Sequence, residues 1–239
     1  MQFDLIALDA DDTLWQNEIH YRNGRKVFAS IMKRYGVIET DEARVNAHEI
    51  TNLEIYGYGA VGFAISLAEL AVELTEGRIT SADLLKLLAI SKEILTAKVE
   101  LFPGVHEIVS SLALTHVLML ITKGDHRHQS AKIERSGLKQ FFDNLEVVEE
   151  KSEDTYRNII EAVKVDPQRF MMVGNAMKSD ILPVLEIGGH AVYIHNELTW
   201  AHENAEGTKL PLDRFHELSS IEELPALINR IETSNKDAV

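Results

Sequence analysis

A short apolar strand stands alone at the head of the chain, and its isolation constrains the fold more than any other feature. The stretch Phe3-Asp4-Leu5-Ile6-Ala7-Leu8-Asp9-Ala10-Asp11-Asp12-Thr13-Leu14 is an apolar run ending in clustered carboxylates. That is the pattern of a buried parallel strand feeding a polar crevice. After Trp15 the apolar spacing becomes helical and stays so to about residue 98. A single strand is not stable in water, so this one must join strands supplied much later. The helical stretch 17–98 then reads as a domain inserted into an α/β core made of 1–16 and 99–239.

Within the insert, Val27, Phe28, Ile31, Met32 and Tyr35 recur at helical spacing before Gly36. Thr40 or Asp41 can cap a second helix through Val45, Ile50 and Leu53, which runs to Tyr56-Gly57-Tyr58-Gly59. A third carries Phe63, Ile65, Leu67, Leu70, Ala71 and Leu74 and stops at Gly77. Thr80 or Ser81 starts a fourth, with Leu84, Leu85, Leu87, Leu88, Ile94 and Leu95. Consecutive helices with short connections predict a compact bundle. From Phe102-Pro103-Gly104 onward, strand and helix alternate. Strands are expected from His116 to Thr122, Leu145 to Val148, Phe170 to Val173 and Ala191 to Ile194. Helices are expected around Ala131 and Ile133, from Tyr156 to Val163, ahead of Gly188-Gly189, and from Ile221 to Ile231. Such alternation implies an α/β fold, a Rossmann-like parallel sheet with helices on both faces.

Composition narrows the function classes. The 239 residues are 45% apolar and 26% charged, as in ordinary globular proteins. A formal net charge of −14 argues against binding nucleic acid through its backbone. The absence of cysteine excludes disulfides and thiolate metal sites and fits a reducing compartment. No leader-like N-terminal segment and no run of membrane-spanning length is visible. The expectation is a cytoplasmic protein, a monomer or small homo-oligomer, with neither nucleic acid nor membrane as partner.

Ligands of an open parallel sheet bind at the carboxyl ends of its strands, and those ends are polar here. The first gives Asp9 and Asp11, the second Thr122 and Lys123. Lys151 follows the third, and the fourth leads to Gly174-Asn175 and Asp180. Carboxylates this close are tolerable mainly when a cation or shared proton neutralises them; alternatively, Asp12 or Thr13 simply caps a helix in an acidic turn. The full inventory suits phosphoryl transfer, with a carboxylate nucleophile, an acid/base, phosphate donors and a divalent cation. Lys151 is preferred over Lys123 as the phosphate-binding lysine on strand-end geometry, with Lys123 accessory. His126-Arg127-His128 is not read as a metal site, because neighbours at that spacing point apart on a helix. Tyr56-Gly57-Tyr58-Gly59 is either a mobile lip or a helix-joining turn, and Trp200 and His202 are candidates for the pocket wall.

At Asp9-Ala10-Asp11-Asp12-Thr13, Thr122, Lys151, and Gly174-Asn175 with Asp180, the chain resembles the haloacid dehalogenase superfamily of aspartate-nucleophile phosphotransferases, with the four motifs in order. The resemblance covers the whole chain, and the helical insert looks like the cap between the first and second motifs. It implies that Asp9 attacks phosphorus and that Asp11 serves as acid and then base. Thr122 and Lys151 would hold the phosphate, and Mg²⁺ would sit on Asp9, the Asp11 carbonyl, Asn175 and Asp180. The implied activity is hydrolysis of a small phosphomonoester. Two positions depart from the family: Asp12 stands where glycine is usual, and Asn175 where a metal-binding aspartate is usual. A dehalogenase, a phosphomutase, a phosphoacceptor signalling module and a catalytically silent phosphate-binding protein are the alternatives. Asp11 argues against the dehalogenase, since a halide leaves without a proton.

Overall fold

The computed structural model of the protein describes residues 3–37, 42–203 and 210–234. Leu5–Leu8 (β1) is buried on both faces, as a central parallel strand must be. Four helices follow: α1 (Glu18–Arg34), α2 (Glu42–Tyr56), α3 (Ala60–Leu74) and α4 (Ser81–Thr96). Then come α5 (Val105–Leu112), β2 (Leu118–Lys123), α6 (His126–Ser136), β3 (Asn144–Val148) and α7 (Glu153–Ala162). The chain continues through β4 (Phe170–Gly174), a π-helical turn (Met177–Ile181), α8 (Leu182–Glu186), β5 (His190–Ile194), β6 (Phe215–Leu218) and α9 (Leu224–Ser234). Contacts divide the chain into two compact units, Met1–Gln16 with Val99–Val239, and Asn17–Lys98.

In the first unit the strands form one parallel sheet in the order β3-β2-β1-β4-β5-β6. Ile6, Leu8, Leu120 and Val173 pack on one face with Val109 of α5, Ile133 of α6 and Leu227 of α9. Leu5, Ala7, Ile121 and Met172 pack on the other with Tyr156 and Ile160 of α7 and Val184 of α8. The two-residue alternation of strands sorts these sets. Segments 14–16 and 100–102 lie side by side as a short antiparallel stem. Trp15 bridges to Leu101, the Gln16 amide donates to the Glu100 carbonyl at 3.0 Å, and the Phe102 amide donates to the Leu14 carbonyl at 3.0 Å.

The second unit is a bundle whose core joins Phe28, Met32, Phe63, Leu67, Leu70, Leu87 and Ile90. A side chain at Gly24 would come within 2.8 Å of both Ile90 and Phe63, so only glycine lets α1 lie this close to α3 and α4. Thr80 caps α4 by accepting from the Asp83 amide; Thr40 and Asp41 lie outside the described residues. Val27 and Ile50 face outward. Instead α2 buries Glu49 and Asn52, because Glu49 takes the Arg25 guanidinium at 2.8 Å and Asn52 donates to Ser66 and Glu69. Tyr56–Gly59 forms the connection from α2 to α3, with the Tyr56 hydroxyl donating to Glu69 at 2.7 Å.

Two elements lie outside the expected ones, α5 and β6. The second brings His216 against His190 of β5, their rings stacked at 6.1 Å, while Phe3 meets His190 edge-on at 5.1 Å. His190 Nδ1 and His216 Nε2 are buried without hydrogen-bond partners among the described residues. Burial, reinforced by His216 and Arg214 and opposed by Asp213, pushes His190 down to about 4; burial lowers His216 as well. Both rings are therefore neutral in the folded protein, whereas in the unfolded chain they take up protons near pH ~6.5. The contribution of His190 to stability is complete above that value and is lost as pH falls toward about 4, and that of His216 changes in the same direction. The expected result is that His190→Leu loses less stability than the parent between about pH 7 and about pH 5 in urea unfolding. Equal losses would show that the pair does not sense pH.

Candidate active site

The chain reverses its direction of winding between β1 and β4, and such a switch point opens a crevice at the carboxyl ends of the strands. Asp9 directly follows β1 and is fixed there by its amide, which donates to the Val173 carbonyl at 2.9 Å. Lys151, between β3 and the Ser152-capped α7, extends to Asp9 and to Asp180 on the π-turn, at 2.6 and 2.7 Å. All three are buried. Burial disfavours the Lys151 charge, but Asp180 and Asp9 outweigh it and raise its pKa, so the ammonium persists. Burial also pushes the Asp180 carboxyl upward, with Asp9 adding to that and Lys151 opposing.

Local structure holds this group in place. The second Asp180 oxygen accepts from the Ala176 amide at 3.0 Å, and the Tyr156 hydroxyl donates to the Ser179 carbonyl, pinning the π-turn. A side chain on Gly174 would overlap the Asp180 carboxylate, which explains the glycine ahead of Asn175. Asp12 takes φ +62°, the left-handed region where glycine is at ease and Asp is among the better-tolerated alternatives.

Asn175 donates through Nδ2 to Thr199 at 2.9 Å, turning its amide oxygen toward Thr13. The Thr13 hydroxyl faces both that oxygen, at 3.1 Å, and Asp9 Oδ2, at 2.9 Å. One hydroxyl carries one proton, so these two oxygens share a single donor. A convergent, donor-poor pair of oxygens suits a hard cation whose shell is completed by carbonyl, water and substrate oxygens. Asp180 is engaged by Lys151 and Ala176, and no cluster of three or more His, Asp or Glu able to hold a metal occurs among the described residues. The oxygens gathered here are thus several but bring little negative charge.

Asp11 sits in a different environment. Its Oδ1 accepts from the Trp15 indole at 2.7 Å, its Oδ2 from Gln129 at 2.9 Å, and both oxygens from Lys132 at 2.6 Å. Burial alone would raise its pKa; Lys132, then Gln129 and Trp15, pull it below the usual range. Gln129 Nε2 also lies 3.1 Å from Thr122 Oγ1 and 2.6 Å from the Lys123 carbonyl, so its two hydrogens serve three acceptors. Lys123 itself donates to Glu203, Ser179 and Glu150 at 2.7, 2.8 and 3.3 Å. With three donors so engaged it is part of an ion-pair network rather than a ready phosphate ligand. His126 and His128 point apart on α6, the first exposed and the second buried, and burial lowers His128 to about 4. Trp200 and His202 pack on each other at 4.9 Å. Gln129 and Lys132 were not singled out in the sequence; their signal was polar residues at helical spacing on the buried face of α6, beside Ile133.

A doubly wound sheet with a carboxylate, a buried lysine and hydroxyls at its switch point defines a Rossmann-like enzyme class built around an aspartate. The chain belongs to the haloacid dehalogenase-like hydrolases, whose family model matches residues 3–188. Among solved structures it is similar to a haloacid dehalogenase-like family hydrolase from Xanthomonas campestris, at 34% identity over 98% of this chain and 97% of that one, with a TM-score of 0.86. The HAD-hydrolase YfnB from Bacillus subtilis bound to magnesium matches at 16% identity and TM-score 0.66, over 96% and 100% of the two chains. A 2-haloacid dehalogenase from Pseudomonas syringae matches at 20% and 0.62, over 96% and 99%. The last two share the fold. No curated protein matches the sequence.

Because Lys151 neutralises two buried carboxylates, Lys151→Met is expected to destabilise the protein by about 3–5 kcal/mol, read from urea unfolding. Adding Asp180→Asn should recover part of that loss. A double variant less stable than Lys151→Met would mean that the three groups do not act as one unit.

Proposed function

We propose that this hydrolase is a Mg²⁺-dependent phosphatase acting on a small phosphorylated metabolite through an aspartyl-phosphate on Asp9. The observation that carries this reading is that the two carboxylates of the Asp9-x-Asp11 pair are held by separate lysines, Lys151 and Lys132, each at 2.6 Å. That separation supports reading one as a nucleophile at the switch point and the other as a separate proton carrier. An alkoxide leaving group needs a proton; a halide does not.

Asp9 attacks phosphorus, and the bond from phosphorus to the ester oxygen breaks as that oxygen takes a proton from Asp11, which is ionised beside Lys132 in the free protein and acquires that proton from a phosphomonoester bound as its monoanion. The alcohol departs, leaving Asp9 phosphorylated and Asp11 ionised. Asp11 then takes a proton from the water that attacks the phosphorus, which releases inorganic phosphate and restores Asp9. Lys151 pairs with Asp9 and meets the phosphate oxygens. Thr122 Oγ1 lies within hydrogen-bond distance of Gln129 Nε2 and, among the described residues, has only a long 3.5 Å contact for its own proton, so that proton is available to the phosphate. Mg²⁺ would be held by Asp9, the Asp11 carbonyl and the Asn175 amide oxygen, with Asp180 fixed behind them by Lys151. When bound it supplies positive charge against the phosphate oxygens. The helical unit, residues 17–98, is proposed as the cap that selects the substrate.

Two outcomes test this. Asp9→Asn should abolish Mg²⁺-dependent release of phosphate from an aryl phosphate and from a panel of phosphorylated metabolites, by at least about 10³-fold. Halide release from 2-haloacids, with no phosphatase activity in the parent, would overturn the reading. Asn175→Asp adds a charged oxygen ligand and should tighten Mg²⁺ in calorimetric titration; an unchanged affinity would place Asn175 outside the coordination shell.

A further inference from the structure

We infer that Lys132 and Gln129 of α6, with Trp15, form a positioning device that holds the Asp11 carboxylate and the Thr122 hydroxyl in one rigid frame. The inference rests on the phosphatase reading for its catalytic meaning and on geometry alone for the device.

Four donor contacts reach the two Asp11 oxygens from two different elements. The Trp15 indole comes from the segment after β1, while the Lys132 ammonium and the Gln129 amide come from α6. Residues 129 and 132, three apart, share one helix face. That helix is locked at its start, where Asp125 accepts from the His128 amide at 2.7 Å. Lysine is almost never fully buried unless paired, yet Lys132 is 7% exposed; Asp11 is the partner that makes this tolerable. Neutralisation alone would not explain Gln129. Its one amide nitrogen lies within hydrogen-bond distance of Asp11, Thr122 and the Lys123 carbonyl. The group that serves the leaving oxygen and the group that serves the phosphate oxygens are thereby set at a fixed separation. Proton transfer of this kind depends on placement within hydrogen-bond reach.

A positioning role predicts effects that depend on the leaving group. Lys132→Met should lower kcat for an alkyl phosphate roughly ten- to a hundredfold, below the ~10²–10⁴ that general acid–base catalysis supplies, with KM changed by less than about twofold. For a nitrophenyl phosphate, whose leaving group needs little protonation, the loss should be several-fold smaller. Lys132→Arg should restore most of the alkyl rate, and in the Asp11→Asn background Lys132→Met should cost less than about twofold. Gln129→Met leaves no buried charge and should reproduce the kcat loss if Lys132→Met fails to fold. Equal losses for both leaving groups, or the same loss in the Asp11→Asn background, would overturn the proposal.

An activity-independent readout separates this from the phosphatase reading. Trp15 and Trp200 are the two tryptophans of the chain, so ¹⁵N-indole spectra contain two side-chain signals, assignable with Trp15→Phe. Release of Asp11 in Lys132→Met should move the Trp15 signal upfield, toward that of an indole without a carboxylate partner. A stationary signal would overturn the device even if phosphatase activity is found. A shifted signal in a protein lacking phosphatase activity would retain the device and overturn only its catalytic meaning.

Discussion

The site is built on one ammonium. Lys151 lies between Asp9 and Asp180, and without it two buried carboxylates would face each other in a medium that screens charge poorly. Much of the neighbouring structure maintains that arrangement. The π-turn directs Asp180 inward, Tyr156 holds the turn by its Ser179 carbonyl, and Gly174 gives up a side chain so that the carboxylate can pack against its backbone. Lys151 itself emerges between β3 and a capped helix, so its backbone has little freedom. The proposed nucleophile thus inherits its placement from residues on or following two strands other than its own, β3 and β4.

Charge around the crevice is partitioned rather than pooled. The chain carries a net −14, yet the lysines of this region are each assigned to acids: Lys151 to Asp9 and Asp180, Lys132 to Asp11, and Lys123 to Glu203 and Glu150. Local pairing allows acidic and basic groups to act separately a few residues apart. Asp9 and Asp11 are neighbours in sequence but belong to different networks, one tied to β3 and β4, the other to α6. An anion entering the crevice would meet ammonium groups whose counter-charges are already fixed in place.

The parts of this architecture that were legible are those written in one-dimensional spacing. The apolar run of β1, the polar residues at strand ends and the alternation after residue 102 led to the parallel sheet and to Asp9, Asp11, Thr122, Lys151, Asn175 and Asp180. What escaped were elements whose buried faces are not apolar. In α6 the inward face carries His128, Gln129 and Lys132 beside Ile133, so apolar periodicity marks the helix without marking the residues that reach Asp11. In α2 the expected Ile50 faces solvent because Glu49 and Asn52 find partners inside the bundle. The strand β6 is four residues long and contains His216 and Glu217, which gives it no apolar run. By contrast α5 is marked by Val105, Ile108, Val109 and Leu112, a regular helical face that could have been read directly. Strand-end geometry ranks Lys151 above Lys123, but residue type cannot reveal that Glu203, far along the chain, takes the Lys123 charge.

The stem at 14–16 and 100–102 has a consequence for how such a chain can change over time. It brings the points where the polypeptide leaves and re-enters the sheet unit side by side, closed by backbone hydrogen bonds that belong to that unit alone. The entropic cost of joining those ends grows only slowly with the length of what hangs between them. Chain length and sequence between the two crossings are therefore almost decoupled from the stability of the sheet. The stem acts as a socket: reaction chemistry can be kept under one set of constraints while the module plugged into it is lengthened, shortened or replaced under another.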